Sequence, residues 1–358
     1  MKPGEAIVVK NAGSHFMLSR LPEWNPFPAI MRGKIRLEDT ESTNPIAVGD
    51  RVSYVPEDDI AVITEVLERK NYMIRKSTNL SRQNHVIAAN LDRAVIVVSL
   101  YLPEIKLPFL DRVLVTCEVY GVKPVIVLNK IDLYPEAAEE IEYFVDVYTK
   151  IGYKVLKTSC KTGEGIDELR SICSDGVSLF SGESGVGKSS IIKALDPSLS
   201  PRIAQISLAH LQGRHTTSLY EMYPLGASAK AEKGDAGKSC PEIGIKGDAG
   251  ESCPEIGIKG DAGDCCSEGG HKESVLQHNG FIIDTPGLRG FGLVDLEKEE
   301  IALYFPEMLR VGRKCFFTPC THTHEPDCAV KEAIEKGEIS PERYNSYLGM
   351  LEEDGKFR

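Results

Sequence analysis

The segment GESGVGKS, residues 182–189, is the stretch that decides the fold class. It stands between the apolar run VSLF and the segment SIIKAL, whose apolar spacing predicts a helix. This order matches the phosphate-binding pattern G-x-x-x-x-G-K-[ST], in which backbone N–H groups and the helix N-terminus hold phosphate oxygens. The flanking strand and helix disfavour the alternative, a chance glycine loop. The predicted phosphate site comprises Gly182, Glu183, Ser184, Gly185, Val186, Gly187, Lys188, Ser189 and Ser190.

Two segments upstream of this loop predict which base the nucleotide carries. NKID, which begins at Asn129, follows the apolar strand PVIVL, and the Asp132 carboxylate can accept both N–H donors of the guanine edge. Asn129 and the stem of Lys130 would support the base. TSCK ends the next predicted strand and has the form of a base-packing loop. Its candidate residues are Ser159, Cys160 and Lys161.

Two segments downstream of the loop predict the switches that respond to the γ-phosphate. DTPG begins at Asp284 after the apolar strand GFII, so Asp284 can be linked to Mg²⁺ and the Gly287 N–H can reach the γ-phosphate. RHTTS carries a threonine that would close over both groups. The sequence does not separate Thr216 from Thr217. We assign Thr217 to the Mg²⁺ site with Ser189 and Asp284, and keep Thr216 as the alternative.

The order of these motifs is rotated. Ordinary GTPases present the phosphate loop, the switch threonine, DxxG, NKxD and the base-packing loop in that order, whereas here the last two come first. Apolar runs such as AVIVVSL, within 91–100, alternate with helical segments as far as residue 284, which predicts a doubly wound α/β domain. The sequence therefore predicts a circularly permuted P-loop GTPase domain over residues 79–290.

The first 78 residues predict a separate small β-barrel. Short segments of strand character stand between Gly and Asp turns, at residues 6–9, 29–36, 51–55 and 62–68.

A low-complexity insertion, residues 227–273, interrupts the GTPase pattern. It contains KGDAGKSCPEIGI followed by KGDAGESCPEIGI, which are polar and too few for a stacked repeat fold. The flanking segments 219–225 and 281–284 predict two strands. If they form a hairpin, the insertion lies at its tip. Metal binding by the cysteines of the insertion is the weaker alternative to loose order.

Residues 291–358 predict a third domain, built around a metal site. Cys315, Cys320 and Cys328 accompany His322, a ligand set that suits one tetrahedral, structural Zn²⁺ per chain. Free thiols are the alternative, and His324 competes with His322 for the fourth position.

Composition narrows the class further. The chain has 358 residues, 42% of them hydrophobic, and contains no apolar run long enough to span a membrane. Its start does not read as a signal peptide, so we expect a cytoplasmic protein with reduced thiols among its ten cysteines. The net charge of −11 argues weakly against nucleic-acid binding, because a whole-chain sum can hide a basic face.

The chain resembles the ribosome small subunit-dependent GTPase A family (RsgA, also called YjeQ) over almost its whole length. The resemblance rests on VGDRV (48–52), the rotated GTPase motifs, CFFTPCTHTHEPDCAV and ISPERYNSYLGML. It implies an N-terminal OB-fold that binds RNA, His322 as the fourth zinc ligand and a C-terminal helical zinc-binding domain. It also implies a GTPase of late small-subunit maturation that binds rRNA and is stimulated by the subunit. We expect a monomer without membrane contacts.

The position after DxxG, where many GTPases carry a water-orienting Gln, is Leu288. His215 is therefore a candidate catalytic residue. The alternative is that His215 only packs within its loop and takes no part in hydrolysis. Two other functions remain open from the sequence. One is a GTP-dependent binding switch on another RNA or protein, and the other is a zinc-stabilised RNA-binding module with a vestigial nucleotide site. The intact Lys188, Ser189 and Asp132 argue against the latter.

Overall fold

The N-terminal strands close a five-stranded barrel. The computed structural model describes residues 2–32, 46–75, 85–199, 220–226, 279–285 and 296–352. The strands of the barrel are β1 (Gly4–Ala12), β2 (His15–Ser19), β3 (Phe27–Met31), β4 (Arg51–Glu57) and β5 (Ile60–Val66). Their order is β1-β2-β3-β5-β4, and β4 pairs back onto β1. Only β3 and β5 run parallel. This is the arrangement of an OB-fold, and it confirms the predicted barrel.

Alternating inward side chains fill the barrel, as a half-buried strand requires. Val8, Leu18, Val52 and Ile63 are all buried in one cluster. The sequence reading missed β2, which is short and follows directly on the turn at Gly13.

A two-stranded hairpin follows the barrel and was also missed. Its strands are β6 (Tyr72–Arg75) and β7 (His85–Ala89). The Asn71 side chain fastens this hairpin to the next segment, because its Nδ2 donates to the Leu91 carbonyl at 2.8 Å and its Oδ1 accepts from the Leu91 N–H at 2.7 Å.

The next strands form the predicted parallel sheet. In chain order they are β8 (Arg93–Ser99), β9 (Lys123–Asn129), β10 (Lys154–Thr158), β11 (Gly176–Ser181), β12 (Glu221–Pro224) and β13 (Gly280–Asp284). In space the order is β10-β9-β8-β11-β13-β12, with only β12 antiparallel. The antiparallel pairing of β12 with β13 confirms the expected hairpin. The 227–273 insertion lies outside the described residues.

Helices cover both faces of this sheet. They are α1 (Leu107–Val119), α2 (Ala138–Ile151), α3 (Ile166–Cys173) and α4 (Lys188–Leu195). Ile96 and Val98 of β8 lie in one core with α1 and α2, while Val95 and Val97 lie in a second core with α3 and α4. Successive side chains of a buried strand point to opposite faces, so the continuous apolar run of β8 serves both cores.

The barrel and the GTPase sheet are continuous. Strand β12 meets β1 at the pair Lys10 and Glu221, whose side chains form a 3.0 Å salt bridge. The resulting sheet has eleven strands.

The C-terminal region is helical, as expected. A 3-10 helix (Lys298–Tyr304) precedes α5 (Pro306–Gly312), α6 (Ala329–Glu335) and α7 (Pro341–Glu352). Its core includes Phe305 and Tyr347, and Val115 of α1 belongs to the same cluster. No helix among the described residues has the length and apolarity needed to cross a membrane.

A buried ion network joins this region to the GTPase domain. Arg343 of α7, 1% exposed, donates to Asp111 of α1 and to Glu307 of α5, each at 2.7 Å. Tyr148 of α2 donates a further hydrogen bond to Asp111 at 2.8 Å. Although burial alone would lower it, the carboxylates of Asp111 and Glu307 hold the pKa of Arg343 above its usual range.

Candidate nucleotide-binding site and metal centre

In the loop between β11 and α4, two glycines combine a positive φ with a neighbour so close that no side chain would fit. Gly182 has φ +149°, and a Cβ there would lie 2.3 Å from the Val97 carbonyl oxygen. Gly187 has φ +100°, and a Cβ there would lie 2.4 Å from Nδ2 of Asn129. Any side chain at either position would push the loop away from β8 or from the NKID segment, so the two glycines set how closely the motifs approach.

Lys188 reaches back over this loop from the start of α4. Its Nζ donates to the carbonyls of Gly182 at 2.5 Å and Glu183 at 3.2 Å. Burial lowers the pKa of Lys188, while the nearby carboxylates of Asp284 and Glu183 oppose that shift. A cation held at the mouth of a loop of backbone N–H groups suits phosphate oxygens. The exposed members of the loop are Ser184, Gly185, Ser189 and Ser190, and Val186 is buried.

Asn129 connects the base-reading segment to the phosphate loop. Its Nδ2 donates to the Val186 carbonyl at 2.9 Å, and its Oδ1 accepts from the Thr158 hydroxyl at 3.0 Å. Lys130, with φ +65°, donates from Nζ to the carbonyl of Gly185 at 2.6 Å. The two side chains therefore fasten the ends of β9 and β10 to the phosphate loop.

Asp132 and the base-packing loop also meet. The Ser159 hydroxyl donates to Oδ1 of Asp132 at 2.6 Å and accepts from the backbone N–H of Lys161 at 3.2 Å. Cys160, in the same turn, has an exposed thiol. A carboxylate oriented in this way can read paired N–H donors on a base edge.

Asp284 ends β13 beside the phosphate loop, since it pairs with Phe180 of the parallel neighbour β11. Burial raises its pKa, and the charge of Lys188 opposes the rise. Its Oδ1 is buried and accepts no hydrogen bond from any described group. Such an oxygen suits a link to a hydrated Mg²⁺ ion, because the ion or its water satisfies the unpaired acceptor.

The structure thus brings the described motif residues together at the carboxyl ends of β9, β10, β11 and β13, the edge where ligands of open α/β sheets bind. The remaining predicted residues lie outside the described part of the chain. They are His215, Thr216, Thr217 and Gly287.

Two contributors to this edge were missed by sequence reasoning. The Leu102 carbonyl accepts from Nζ of Lys130 at 2.5 Å, and the Thr158 hydroxyl orients Asn129. A backbone carbonyl has no sequence signal. Thr158 had one, because it ends the strand that follows NKID and so falls opposite Asn129.

Cys315, Cys320, His322 and Cys328 form a second cluster, whose ligand atoms all lie within 4.8 Å of one another. Sγ of Cys328 is 3.9 Å from both other sulfurs and 3.4 Å from Nδ1 of His322. Zinc–sulfur bonds of about 2.3 Å place the sulfurs of a tetrahedral site about 3.8 Å apart. The cluster therefore has the dimensions of a four-coordinate metal site.

The surroundings of the cluster orient its ligands. Tyr344 of α7 donates to the His322 carbonyl at 2.6 Å, and Glu325 accepts from the N–H groups of Thr321 at 2.7 Å and Thr323 at 3.0 Å. Although burial alone would raise it, hydrogen bonds from Thr321, from the backbone of Glu325 itself and from Thr323 lower the pKa of Glu325 to about 2.

The structure selects between the two histidines. His322 is buried in the cluster, and its ring lies 3.2 Å from the point where a Cβ on Gly312 would stand. His324 is exposed and contacts the Thr323 hydroxyl at 3.0 Å.

The rotated order of the motifs along the chain and their meeting at one sheet edge define a circularly permuted P-loop GTPase. A family model described as RsgA GTPase matches residues 66–230. A small ribosomal subunit biogenesis GTPase RsgA of Bacteroides fragilis is 40% identical over 99% of both chains. The protein of that name from Flavobacterium psychrophilum is 40% identical over 98% of this chain and 90% of its own.

Two solved structures have the same fold as this chain. YjeQ of Thermotoga maritima superposes with a TM-score of 0.68 at 28% identity, covering 98% of this chain and 97% of its own. The fold of YloQ, described as a circularly permuted GTPase, matches with a TM-score of 0.63 at 24% identity over 98% and 94%. The chain belongs to the RsgA GTPase family, and it is a GTP-hydrolysing enzyme.

Proposed function

We propose that this chain hydrolyses GTP during late maturation of the small ribosomal subunit, in the cytoplasm, and that the subunit and its rRNA stimulate the reaction. The observation that carries the proposal is the meeting of Asn129, Asp132, Lys188 and Asp284 at one sheet edge, in a chain whose full-length relatives are named for small-subunit biogenesis. The alternative, a GTP-dependent switch on another RNA or protein, would retain the same site.

The roles in the site follow from the chemistry of each group. Asp132 selects guanine, and Ser159 keeps its carboxylate in position. Lys188 neutralises the β- and γ-phosphates, which lowers the energy of the charge that develops as the γ-phosphoryl group leaves. Ser189 and Asp284 would hold Mg²⁺ together with Thr217, and the ion would supply further charge neutralisation at the phosphates. Gly287 would sense the γ-phosphate.

His215 is our candidate for the group that helps to position the attacking water. Leu288 cannot accept a hydrogen bond from water, so the usual glutamine role falls to another group. A neutral imidazole beside the switch threonines can accept that hydrogen bond. Docking on the subunit would bring His215 to the attacking water and so speed hydrolysis.

The other parts of the chain would recognise the subunit. We assign residues 1–78 to an RNA-binding OB-fold, residues 79–290 to the GTPase domain and residues 291–358 to a domain held by one structural Zn²⁺. Four protein ligands leave no coordination position for a reacting water, so the metal would stabilise the fold and take no part in hydrolysis. We infer that the protein acts as a monomer.

Nucleotide-dependent cosedimentation tests the proposed partner. Purified small subunits should retain the protein in the presence of a non-hydrolysable GTP analogue and retain less of it with GDP. Large subunits serve as the control for charge-driven binding. Equal retention on both subunits, independent of the nucleotide, would support the alternative switch on a different partner.

A further inference from the structure

The loop between the first two cysteines of the metal cluster exposes two aromatic rings. Phe316 is 81% exposed, which makes it the most exposed large apolar side chain of the described residues, and Phe317 is 42% exposed. The rings stand edge to face, with centroids 5.2 Å apart and an interplanar angle of 80°. The Phe316 ring is thus largely open to solvent, and the Phe317 ring packs against it edge to face.

This loop is held at both ends. Cys315 and Cys320 flank it, and their side chains belong to the metal cluster. Ordering an aromatic side chain on binding costs conformational entropy, and a short loop fixed at both ends has less of that entropy to lose. The exposed ring is therefore presented on a support that is already in place.

Positive charge lies immediately before the rings. Arg313 and Lys314 are exposed, and neither forms a salt bridge with a described residue. The nearby acidic residue Glu332 is engaged by Lys336 at 2.5 Å. Lys314 also lies within electrostatic reach of Glu332. The local surface therefore combines two exposed cations and one shared carboxylate with an aromatic ring, although the whole chain carries a net charge of −11.

We propose that Phe316 stacks on an unpaired base of the small-subunit rRNA, with Arg313 and Lys314 contacting the adjoining phosphates. The proposal rests on the proposed function, which supplies the RNA. Thr318 and Pro319, which follow the two rings in the loop, are also exposed, and neither adds a second large apolar side chain. Stable protein interfaces bury about 800 Å² on each partner, whereas one ring is enough for one base.

Replacing Phe316 with alanine tests the role of the ring. Phe316→Ala should bind small subunits about tenfold more weakly, as expected for loss of one stacked base, while Phe316→Trp should bind as wild type does. Leu303→Ala is the matched control, because Leu303 is also apolar and exposed, at 52%, in the same C-terminal region. The zinc content per chain should be the same in all variants. Equal zinc content would show that weaker binding to the subunit does not come from an unfolded C-terminal domain.

Photo-cross-linking identifies the contact. A benzophenone amino acid at position 316 should cross-link to rRNA when the protein is docked on small subunits. A cross-link to ribosomal protein alone would replace the RNA contact with a protein contact and overturn the proposal, as would unchanged affinity of Phe316→Ala. If wild-type protein fails to bind small subunits at all, the proposed function falls first. If wild type binds and the alanine variant binds equally, only this inference falls.

Discussion

Replacing Arg343 with methionine should destabilise the junction between the C-terminal helices and the GTPase domain. The side chain donates two charged hydrogen bonds of 2.7 Å to carboxylates that are themselves buried. Hydrogen bonds to charged groups contribute about 1.5–3 kcal/mol each, so the pair gives about 3–6 kcal/mol. Breaking buried ion pairs by removing one partner costs about 3–5 kcal/mol, because an uncompensated charge remains buried. We expect Arg343→Met to lower the free energy of unfolding by about 4 kcal/mol near pH 7.5.

The loss should depend on pH. Burial already raises the pKa of Asp111, and Arg343 is the main opposing influence, so the variant should raise this pKa further. A carboxyl whose pKa is higher in the folded than in the unfolded protein binds its proton more tightly when folded. The stability that it contributes at low pH is therefore lost as the pH rises from the unfolded-state pKa through the folded-state pKa. The deficit of Arg343→Met should therefore shrink as the pH falls from about 8 toward about 5.

Urea unfolding followed by circular dichroism measures both effects. The matched variant is Arg343→Met combined with Asp111→Asn and Glu307→Gln, which removes the whole charge network. This triple variant should recover much of the lost stability at neutral pH, because no unpaired charge is left buried. If the single and the triple variant unfold alike, or if the single variant is as stable as wild type at every pH, the reasoning about this network is refuted.

Three further predictions concern the sites. Asp132→Asn should weaken GTP binding by about 10²- to 10⁴-fold through loss of two charged hydrogen bonds to guanine, and nucleotide competition should show the preference moving toward xanthine; an unchanged preference for GTP contradicts the assignment. Cys320→Ser should lose the one Zn²⁺ per chain in elemental analysis, whereas His324→Ala should keep it; full zinc content in Cys320→Ser would rule out the cluster, and loss of zinc in His324→Ala would make His324 the fourth ligand. His215→Ala should lower subunit-stimulated kcat by roughly 10²-fold with GTP affinity within a few-fold of wild type, and normal turnover would place the catalytic group elsewhere.

The elements that sequence could predict are those with strong local signals. Three such signals each predict one local structure: the apolar run of β8, the glycine loop before α4 and the spacing of the cysteines. All three local structures are present. Strands β2, β6 and β7 were missed because neither a clear alternation nor a neighbouring motif marks them, although β3 and β10 are as short and were predicted. A short strand is stabilised mainly by the neighbouring strands on which it packs, and the sequence alone does not show which strands those are.

Long-range polar contacts were beyond prediction for a different reason. Arg343 and Asp111 are separated by 232 positions, and a buried ion pair leaves no periodic pattern in either helix. The hydrogen bond from Asn129 to the Val186 carbonyl is similar, because its acceptor is a backbone atom. The residues alone left His322 and His324 as alternatives, and the family resemblance favoured His322, which the structure places in the cluster.

The rate of GTP hydrolysis with and without purified small subunits tests the central claim most directly. Wild-type protein alone should turn over GTP slowly. With small subunits the rate should rise about tenfold or more, because a partner can complete the catalytic site of a GTPase. Large subunits should leave the rate unchanged, and Lys188→Ala should show no turnover under either condition. An intrinsic rate that small subunits do not raise would contradict the account.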